Sequence, residues 1–285
     1  MTRSLFLLPL IAIAMSLANS ANADVLVNAR GQAGWDSTDT RVLGVNATTS
    51  ATIDTRIQFE SGPAGSDGSL KLISPTATDK ATLAYVDSGG LGGLAGLTAS
   101  YRWYKDGPVG APAPALKIGL RTSDYGSTGP STRIGENNWD KILIYEPYDN
   151  PDAGSTPTGT WVTQTIDPNN GTWWMFDRTI LTPVNTPHSS LTINGWLAHG
   201  TYGTRLTGAS IVDIALGVGS GNAGSVGYVD WLAISALNGG EVTNFVPEPG
   251  SIALASMGLV ACLGFGVRRR RAQRKLLDAS AVLDS

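Results

Sequence analysis

The chain has 285 residues and a formal net charge of −3, but its charges are unevenly distributed. Residues 24–250 carry 13 basic and 21 acidic side chains, a net charge of −8. An acidic protein lacks the basic face that phosphate contacts need, so the charge excludes nucleic acid as a partner. The single cysteine, Cys262, lies in an apolar stretch near the C-terminus. The rest of the chain therefore has no disulfide and depends on a hydrophobic core.

The first 23 residues have the three parts of a secretory signal peptide. Arg3 gives a basic start, an apolar run follows from residue 5 to residue 18, and Ala21 and Ala23 form a small-x-small cleavage site. A permanent N-terminal anchor is the alternative, but this apolar run is short for a membrane-spanning helix. We therefore expect residues 1–23 to be removed and the mature protein to begin at Asp24.

Residues 24–237 show strand patterns and turn-rich loops, with almost no helical periodicity. Between residues 97 and 104, for example, Tyr101 and Trp103 share one face of an extended chain with Leu97 and Ala99. Strands are predicted at Thr52–Glu60, Lys80–Asp87, Leu97–Tyr104, Leu116–Thr122, Lys141–Tyr145, Thr160–Ile166, Gly171–Phe176, Ile211–Val218 and Gly227–Ala236. A short helix, capped by Ser189 or Ser190, is predicted at Ser189–His199. The pattern predicts an all-β domain of two packed antiparallel sheets, a β-sandwich of jelly-roll type.

Two adjacent aromatic pairs are candidates for stacking on a sugar ring. They are Trp103 with Tyr104 and Trp173 with Trp174. Successive side chains of a strand point to opposite faces, so one ring of each pair must face away from the core. The alternative is that these rings fill the core or make cross-strand pairs. At least one exposed aromatic platform is expected among the four.

The end of the domain, about residues 160–236, resembles a carbohydrate-binding-type jelly roll. The resemblance rests on Trp161, the Trp173-Trp174 pair, and the apolar strand Ile211–Val218 followed by a glycine-rich turn and Gly227–Ile234 with its Tyr-Val-Asp-Trp run. In such folds a glycine-rich hairpin joins the last strands. The resemblance implies a fold and does not assign a sugar site.

Acidic residues in loops are candidates for holding a metal ion. Asp149 and Asp152 occur together in a turn-rich segment, and Asp230 is a candidate by the resemblance in fold. Carboxylate oxygens suit Ca²⁺, although the segment with Asp149 and Asp152 does not match an EF-hand loop. The alternative is turn chemistry, because Asp and Asn bond their own backbone in turns. No cofactor is predicted, and a structural Ca²⁺ is left open.

The sequence offers little for catalysis. His188 and His199 do not form a metal-binding pair, and no nucleophile elbow occurs. A glycoside hydrolase would need two carboxylates about 5–10 Å apart. Glu60, Glu136 and Glu146 are available, but a sequence does not show which carboxylates converge. A non-catalytic role is favoured, and an enzyme remains the alternative.

The C-terminal tail combines three features in a fixed order. Pro247, Glu248 and Pro249 follow a tether that is expected at residues 238–250, and residues 251–267 are free of charge. That length is near the minimum of about 17 residues for a membrane-spanning helix. The basic block that follows should stay cytoplasmic within residues 268–285, and it consists of Arg268, Arg269, Arg270 and Arg271.

This order resembles the sorting signal of the PEP-CTERM family of exported bacterial proteins. The resemblance implies that an exosortase-type enzyme reads the Pro-Glu-Pro motif and removes the helix. An ordinary membrane anchor is the alternative. We expect a precursor held in the inner membrane by its C-terminal helix, and then a protein at the cell surface or in the extracellular matrix.

The function that these features favour is a non-catalytic surface or biofilm-matrix protein that interacts with extracellular polysaccharide. A carbohydrate-active enzyme, either a glycoside hydrolase or a lyase acting on exopolysaccharide, is the first alternative. A purely structural surface protein is the second.

Overall fold

A computed structural model gives the fold. It describes residues 24–37, 40–42, 45–47, 49–87, 89–107, 112–125, 139–150, 156–180, 182–184, 191–219, 223–237 and 240–246. One compact unit ends at Val246 and a second unit begins at Pro247. The expected signal peptide, Pro-Glu-Pro motif, apolar span and arginine block all lie outside the described residues. Within the described ranges, no helix is long and apolar enough to cross a membrane.

The described part of the chain is built mainly of strands. They are β1 (Val25–Val27), β2 (Trp35–Ser37), β3 (Arg41–Val42), β4 (Val45–Asn46), β5 (Ile57–Glu60), β6 (Ser69–Ser74), β7 (Ala81–Val86), β8 (Ala99–Asp106), β9 (Ala115–Arg121), β10 (Lys141–Tyr145), β11 (Val162–Ile166), β12 (Trp173–Asp177), β13 (Thr182–Pro183), β14 (Ser210–Val218), β15 (Ser225–Ile234) and β16 (Val242–Phe245). Short helices occur at Ser50–Asp54, Pro147–Asp149, Ile193–Leu197 and Gly203–Thr207.

Two seven-stranded sheets form the sandwich, and the chain crosses between them repeatedly. Sheet A is centred on β15, which pairs with β8 on one side and with β6 and β16 on the other; β11, β5 and β1 lie at its edges. Sheet B has the order β13-β12-β10-β9-β14-β7-β2. Among the strands that the structure describes, pairing is antiparallel except between β1 and β16, which run parallel. The predicted all-β sandwich is confirmed.

The core lies between the sheets because strand alternation turns one face of each strand inward. Tyr101 and Trp103 of β8 are fully buried, as their predicted face requires. From the opposite sheet, Leu116, Ile118 and Leu120 of β9 join the same hydrophobic cluster. Burying each side chain of this size contributes about 1.5–3 kcal/mol. The predicted face of β8 is therefore confirmed.

Two local predictions were wrong in detail. The segment expected as a strand from Thr52 begins instead as the helix Ser50–Asp54, because the Thr49 hydroxyl accepts a hydrogen bond from the Thr52 amide and caps it. The helix expected at Ser189–His199 is shorter, Ile193–Leu197, and Thr192 caps it. In addition, the turn between β14 and β15 is not a hairpin, since these strands belong to different sheets.

The expected tether is also corrected. Strand β16 lies inside residues 238–250, pairs with both β15 and β1, and places Phe245 in the core with no exposed surface. The Phe245 ring contacts Trp35 of β2 with ring centroids 5.3 Å apart. The sandwich therefore extends beyond residue 237 to Val246.

Candidate functional site

In each aromatic pair, the alternation of side chains along the strand places one ring in the core and the other on the outer face. Trp103 and Trp173 have no exposed surface and belong to the core, so neither is available as a stacking platform. Tyr104 and Trp174 are half-buried on the outward faces of their strands. Because Tyr104 lies on sheet A and Trp174 on sheet B, the two rings cannot form one surface.

Trp174 belongs to a row of side chains that crosses the outer face of sheet B. Strand register places it opposite Ile144 of β10, Ile144 opposite Lys117 of β9, and Lys117 opposite Ala215 of β14. In the neighbouring row, Ala115 lies opposite Gly217. These small residues leave a cavity of about 190 Å³ on this face, which we call the sheet B groove. The residues that line it are Lys80, Pro112, Ala113, Ala115, Lys117, Ile144, Glu146, Tyr148, Trp174, Gly217, Val218 and Gly219.

Two glycines of the groove make room for lysine side chains. A Cβ atom at Gly217 would lie 2.7 Å from Lys117 Nζ and 3.0 Å from Thr82 Oγ1. A Cβ atom at Gly219 would lie 2.7 Å from Lys80 Cγ. All three distances are shorter than ordinary van der Waals contacts, so a larger residue at either glycine would displace a lysine side chain. Gly217 in β14 and Gly219 directly after it therefore help to shape the groove.

The carboxylate of Glu146 joins the aromatic residues of the groove. Trp174 Nε1 donates a hydrogen bond to Glu146 Oε2 at 3.1 Å. Burial raises the pKa of Glu146, and the charge of Asp149 raises it further; the hydrogen bonds from Trp174 and Tyr148 and the charge of Lys117 oppose that rise. Burial, with the charges of Glu146 and Asp149, also raises the pKa of Tyr148, which therefore stays a neutral phenol.

A buried amide holds this segment in place. Asn150 donates from Nδ2 to the backbone oxygens of Glu146 and Thr172, at 2.9 and 3.2 Å. Its Oδ1 accepts from the Thr172 amide. Tyr148 lies between these anchors on the helix Pro147–Asp149 and keeps 43% of its surface exposed. The groove therefore presents an accessible phenol next to a fixed indole.

Next to the groove, the same face of sheet B is covered by a smaller hydrophobic cluster. Trp139, Ile142 and Val212 are buried there, and Trp174 and Phe176 pack against them. Trp139 lies over Gly119, where a Cβ atom would approach its ring to 2.9 Å. One end of the groove is therefore bounded by packed aromatic side chains.

The two metal candidates that the structure describes, Asp149 and Asp230, are not brought together. Asp230 accepts hydrogen bonds from Arg102 at 2.7 Å and from Ser66 at 3.0 Å, on sheet A. Asp149 lies beside Glu146 near sheet B, and Asp152 lies outside the described residues. Among the residues that the structure describes, no three His, Cys, Asp or Glu side chains are grouped to hold a metal ion. Calcium binding stays a prediction.

The two glutamates that the structure describes, Glu60 and Glu146, also lie apart. Glu60 forms an ion pair with Lys71 at 3.2 Å, Glu146 lies in the sheet B groove, and Glu136 lies outside the described residues. Sequence reasoning therefore named one carboxylate of the groove without locating it. It missed the groove role of Lys80 and Lys117: the position of Lys117 follows from strand register, and Lys80 lies directly before β7.

A buried charge cluster was also missed. Lys141 Nζ lies 2.9 Å from Asp140, 3.0 Å from Asp177 and 3.4 Å from Asp124, and its side chain has no exposed surface. Burial lowers the pKa of Lys141, but hydrogen bonds to Asp140 and Asp177 more than offset this and raise it. Such a cluster holds one end of the sandwich together rather than offering a site to a ligand.

Fold and groove together define an all-β sandwich with an aromatic, lysine-bearing depression on one sheet face. Residues 245–271 match the PEP-CTERM protein-sorting motif. This motif marks the chain as an exported protein that is processed at the membrane. A search of curated proteins finds no match to the chain.

Several solved structures are similar to the chain at low identity. A family 11 carbohydrate-binding module from Clostridium thermocellum, in complex with a β-1,3-1,4-mixed-linked tetrasaccharide, shares 12% identity with a TM-score of 0.37; the match covers 79% of this chain and 97% of that one. A candidate sugar binding protein from Bacteroides thetaiotaomicron shares 11% with a TM-score of 0.34, over 75% and 94%. The enzymatically active domain of bacteriophage CBA120 tailspike protein 4 shares 11% with a TM-score of 0.33, over 72% of this chain and 21% of that one.

Proposed function

We propose that this chain is an exported, non-catalytic surface or matrix protein that binds extracellular polysaccharide in the sheet B groove. The observation that carries the proposal is Trp174, an outward-facing indole held against Glu146 in a cavity that also contains Tyr148 and two lysines. Aromatic faces receive the C–H faces of sugars, and the polar groups around them pair with sugar hydroxyls.

The size of the groove limits what it holds. Pockets for drug-sized ligands enclose roughly 300–1,000 Å³, whereas this cavity encloses about 190 Å³. A space of this size suits one sugar ring rather than a stretch of several. The groove would therefore hold a terminal or pendant sugar of a longer polymer.

The binding test is the retention of the secreted protein on affinity gels that contain polysaccharide from the producing cells. Trp174→Ala should weaken retention by about thirtyfold, since losing a central aromatic contact costs about 2 kcal/mol or more. Tyr104→Ala, which removes a half-buried ring from the other sheet, should leave retention unchanged. Thermal melts of both variants check folding. Equal retention of wild type and Trp174→Ala would overturn the proposal.

The sorting step is proposed from the motif. An exosortase-type enzyme would act at Pro247, Glu248 and Pro249 and release the sandwich from the apolar segment 251–267 and its arginine block. The intact mass of the mature protein from its native cell should then correspond to a chain that starts at Asp24 and lacks the C-terminal arginines. A mass that includes residues 268–285 contradicts processing at this motif.

A hydrolase is the second candidate, because Glu146 has a raised pKa and lies near a second carboxylate, Asp149. A carboxyl group that stays protonated can act as a general acid in glycoside hydrolysis. Release of reducing ends from the native polysaccharide, abolished by Glu146→Gln, would favour this reading. Binding without release of reducing ends favours the non-catalytic one.

A further inference from the structure

The carboxylate of Glu146 lies at the edge of the indole ring that the groove exposes. Trp174 Nε1 donates to Glu146 Oε2 at 3.1 Å, and an indole N–H lies in the plane of its ring. A carboxylate offers about four lone-pair sites for hydrogen bonds, so the bond from Trp174 leaves it able to accept further donors. A sugar ring stacked on the indole face would therefore place a substituent within reach of this carboxylate.

The electrostatic potential around Glu146 is negative. Burial raises the pKa of Glu146 and the charge of Asp149 raises it further, and this rise outweighs the opposing hydrogen bonds and the charge of Lys117. Burial also raises the pKa of Tyr148, and the charges of Glu146 and Asp149 add to that rise. Because a nearby positive charge favours an ionised carboxylate, a cationic ligand would recover part of the cost of burying Glu146.

The lysines of the groove lie toward its other end. Lys117 Nζ lies 3.4 Å from Thr82 Oγ1, and it lies beside Gly217, where a Cβ atom would approach it to 2.7 Å. Gly217 belongs to β14, which is separated from β10 by β9 and therefore by two strand spacings, or roughly 10 Å. Lys80 crosses the chain at Gly219, directly after β14. The groove therefore has a basic end at β14 and an acidic, aromatic end that consists of Trp174, Glu146 and Tyr148.

An ammonium group matches the acidic, aromatic end better than a hydroxyl does. Hydrogen bonds from an ammonium to a carboxylate are roughly twice as strong as those between neutral groups. An ammonium is also attracted to the face of a Trp or Tyr ring within about 6 Å of the ring centre. Tyr148 keeps 43% of its surface exposed, so its ring is accessible to a ligand. A neutral hydroxyl gains neither of these charge interactions.

We propose that the acidic, aromatic end of the sheet B groove selects amino sugars, with the ammonium group of a glycosamine unit against the Glu146 carboxylate and the sugar ring on Trp174. The proposal rests on the proposed function and adds the chemical class of the ligand. The cavity of about 190 Å³ holds one such ring.

Titration calorimetry with single sugars tests the proposal on the wild-type secreted protein. The probes are glucosamine, N-acetylglucosamine and glucose, and the corresponding three sugars of the galactose series. Each set keeps the ring and replaces the ammonium by a neutral amide or hydroxyl; the buffer is neutral, so that most of the sugar amine is protonated. Single sugars are used because a polymeric cation would adsorb to a protein whose residues 24–250 have a net charge of −8.

In at least one set, the glycosamine should bind about tenfold more tightly than both of its neutral counterparts. This preference should shrink as salt is added, in line with ionic screening. If no glycosamine binds more tightly than its neutral counterparts, the amino-sugar proposal is overturned.

Two matched variants locate the interaction. Glu146→Gln removes the charge but keeps an oxygen acceptor for Trp174, and it should reduce the preference for the glycosamine about tenfold. Glu60→Gln removes the same charge from sheet A, where Glu60 pairs with Lys71 at 3.2 Å, and it should keep the wild-type preference. A preference that survives in Glu146→Gln, or that falls equally in both variants, overturns the proposed site. Asp149→Asn, which should also reduce the preference, provides the second variant if Glu146→Gln does not fold.

The results also separate the two proposals. Trp174-dependent retention on polysaccharide gels, without a preference for glycosamines or without binding of any single sugar, overturns the amino-sugar proposal and keeps the proposed function. If neither the gels nor the single sugars bind the protein, both proposals fail.

Discussion

Replacing Lys141 with methionine tests how much stability the buried charge cluster contributes. Methionine keeps most of the side-chain length, so the change removes the ammonium group with little loss of volume. Asp140 and Asp177 then lose a cation at 2.9 and 3.0 Å inside the protein. Asp124 keeps Arg205 at 3.0 Å. The substitution therefore leaves two of the three carboxylates, those of Asp140 and Asp177, without their cation.

The expected cost follows from this geometry. Breaking a buried ion pair by removing one partner costs about 3–5 kcal/mol. For a domain of about 220 residues, each kcal/mol lowers Tm by roughly 2–4 °C, so Lys141→Met should melt about 6–20 °C below wild type at pH 7. The control is Lys71→Met, which breaks a half-exposed pair with Glu60 and should cost at most about 1 kcal/mol.

The pH dependence of stability gives a second, independent test of the buried charge cluster. Burial raises the pKa of Asp177, but hydrogen bonds from Thr179 and Lys141 outweigh it, so the folded-state pKa is below the ordinary value. Asp177 therefore stabilises the wild type above the unfolded pKa, and this stability is lost as pH falls through the folded pKa. Without Lys141 the carboxylate binds a proton more readily, so the gap between variant and wild type should narrow from pH 7 to pH 4.5.

Calorimetric melts at both pH values measure the two effects. A Lys141→Met protein that melts within about 2 °C of wild type at pH 7 would refute the buried-cluster argument. A gap that stays constant down to pH 4.5 would show that the loss comes from packing and not from uncompensated charge.

Two further predictions concern the groove and the last strand. The free energy of unfolding should fall as pH rises from the ordinary pKa of a glutamate through the raised pKa of Glu146, because burial penalises the ionised carboxylate; Glu146 faces Lys117, Trp174, Tyr148 and Asp149, and Glu146→Gln should remove that fall in urea titrations at a series of pH values. Phe245→Ala should lower the free energy of unfolding by about 3–5 kcal/mol in urea titrations, whereas Leu26→Ala on the neighbouring strand, 53% exposed, should change it by less than about 0.5 kcal/mol. Equal midpoints for the last two variants would mean that residue 245 belongs to a tether.

The sequence predicts strands well where side chains alternate between the core and the outside. In β8 the alternating residues are those that the structure buries, and β10 has the predicted bounds, Lys141–Tyr145. Prediction fails where local capping competes with the alternation, as at Thr49, and where a strand is short. Strand β16 has only four residues, and it pairs both with β15 and with β1, which is more than 200 residues away in the chain.

The candidate site was only half predictable for a related reason. Because successive side chains of a strand point to opposite faces, one ring of each aromatic pair must face outward. Whether this is Trp173 or Trp174 depends on which face the sheet buries. The lysines gave a weaker signal, because Lys117 reads in sequence as an ordinary outward residue of a strand. Only strand register brings it into the same row as Trp174 and across from Ala215.

The shape of the groove follows from side-chain volume across one sheet. The central strands β9 and β14 carry Ala115, Ala215 and Gly217 on the outer face, whereas β12 at the side carries Trp174 and Phe176. A face with small residues in the middle and large ones at its side is concave, and residues just outside the strands complete the groove. Sites built on strands keep their geometry better than sites built on loops. We therefore expect changes in the bordering loops to alter which polysaccharide is preferred. A larger residue at Gly217 would fill the groove, and a smaller residue at position 174 would remove its aromatic wall.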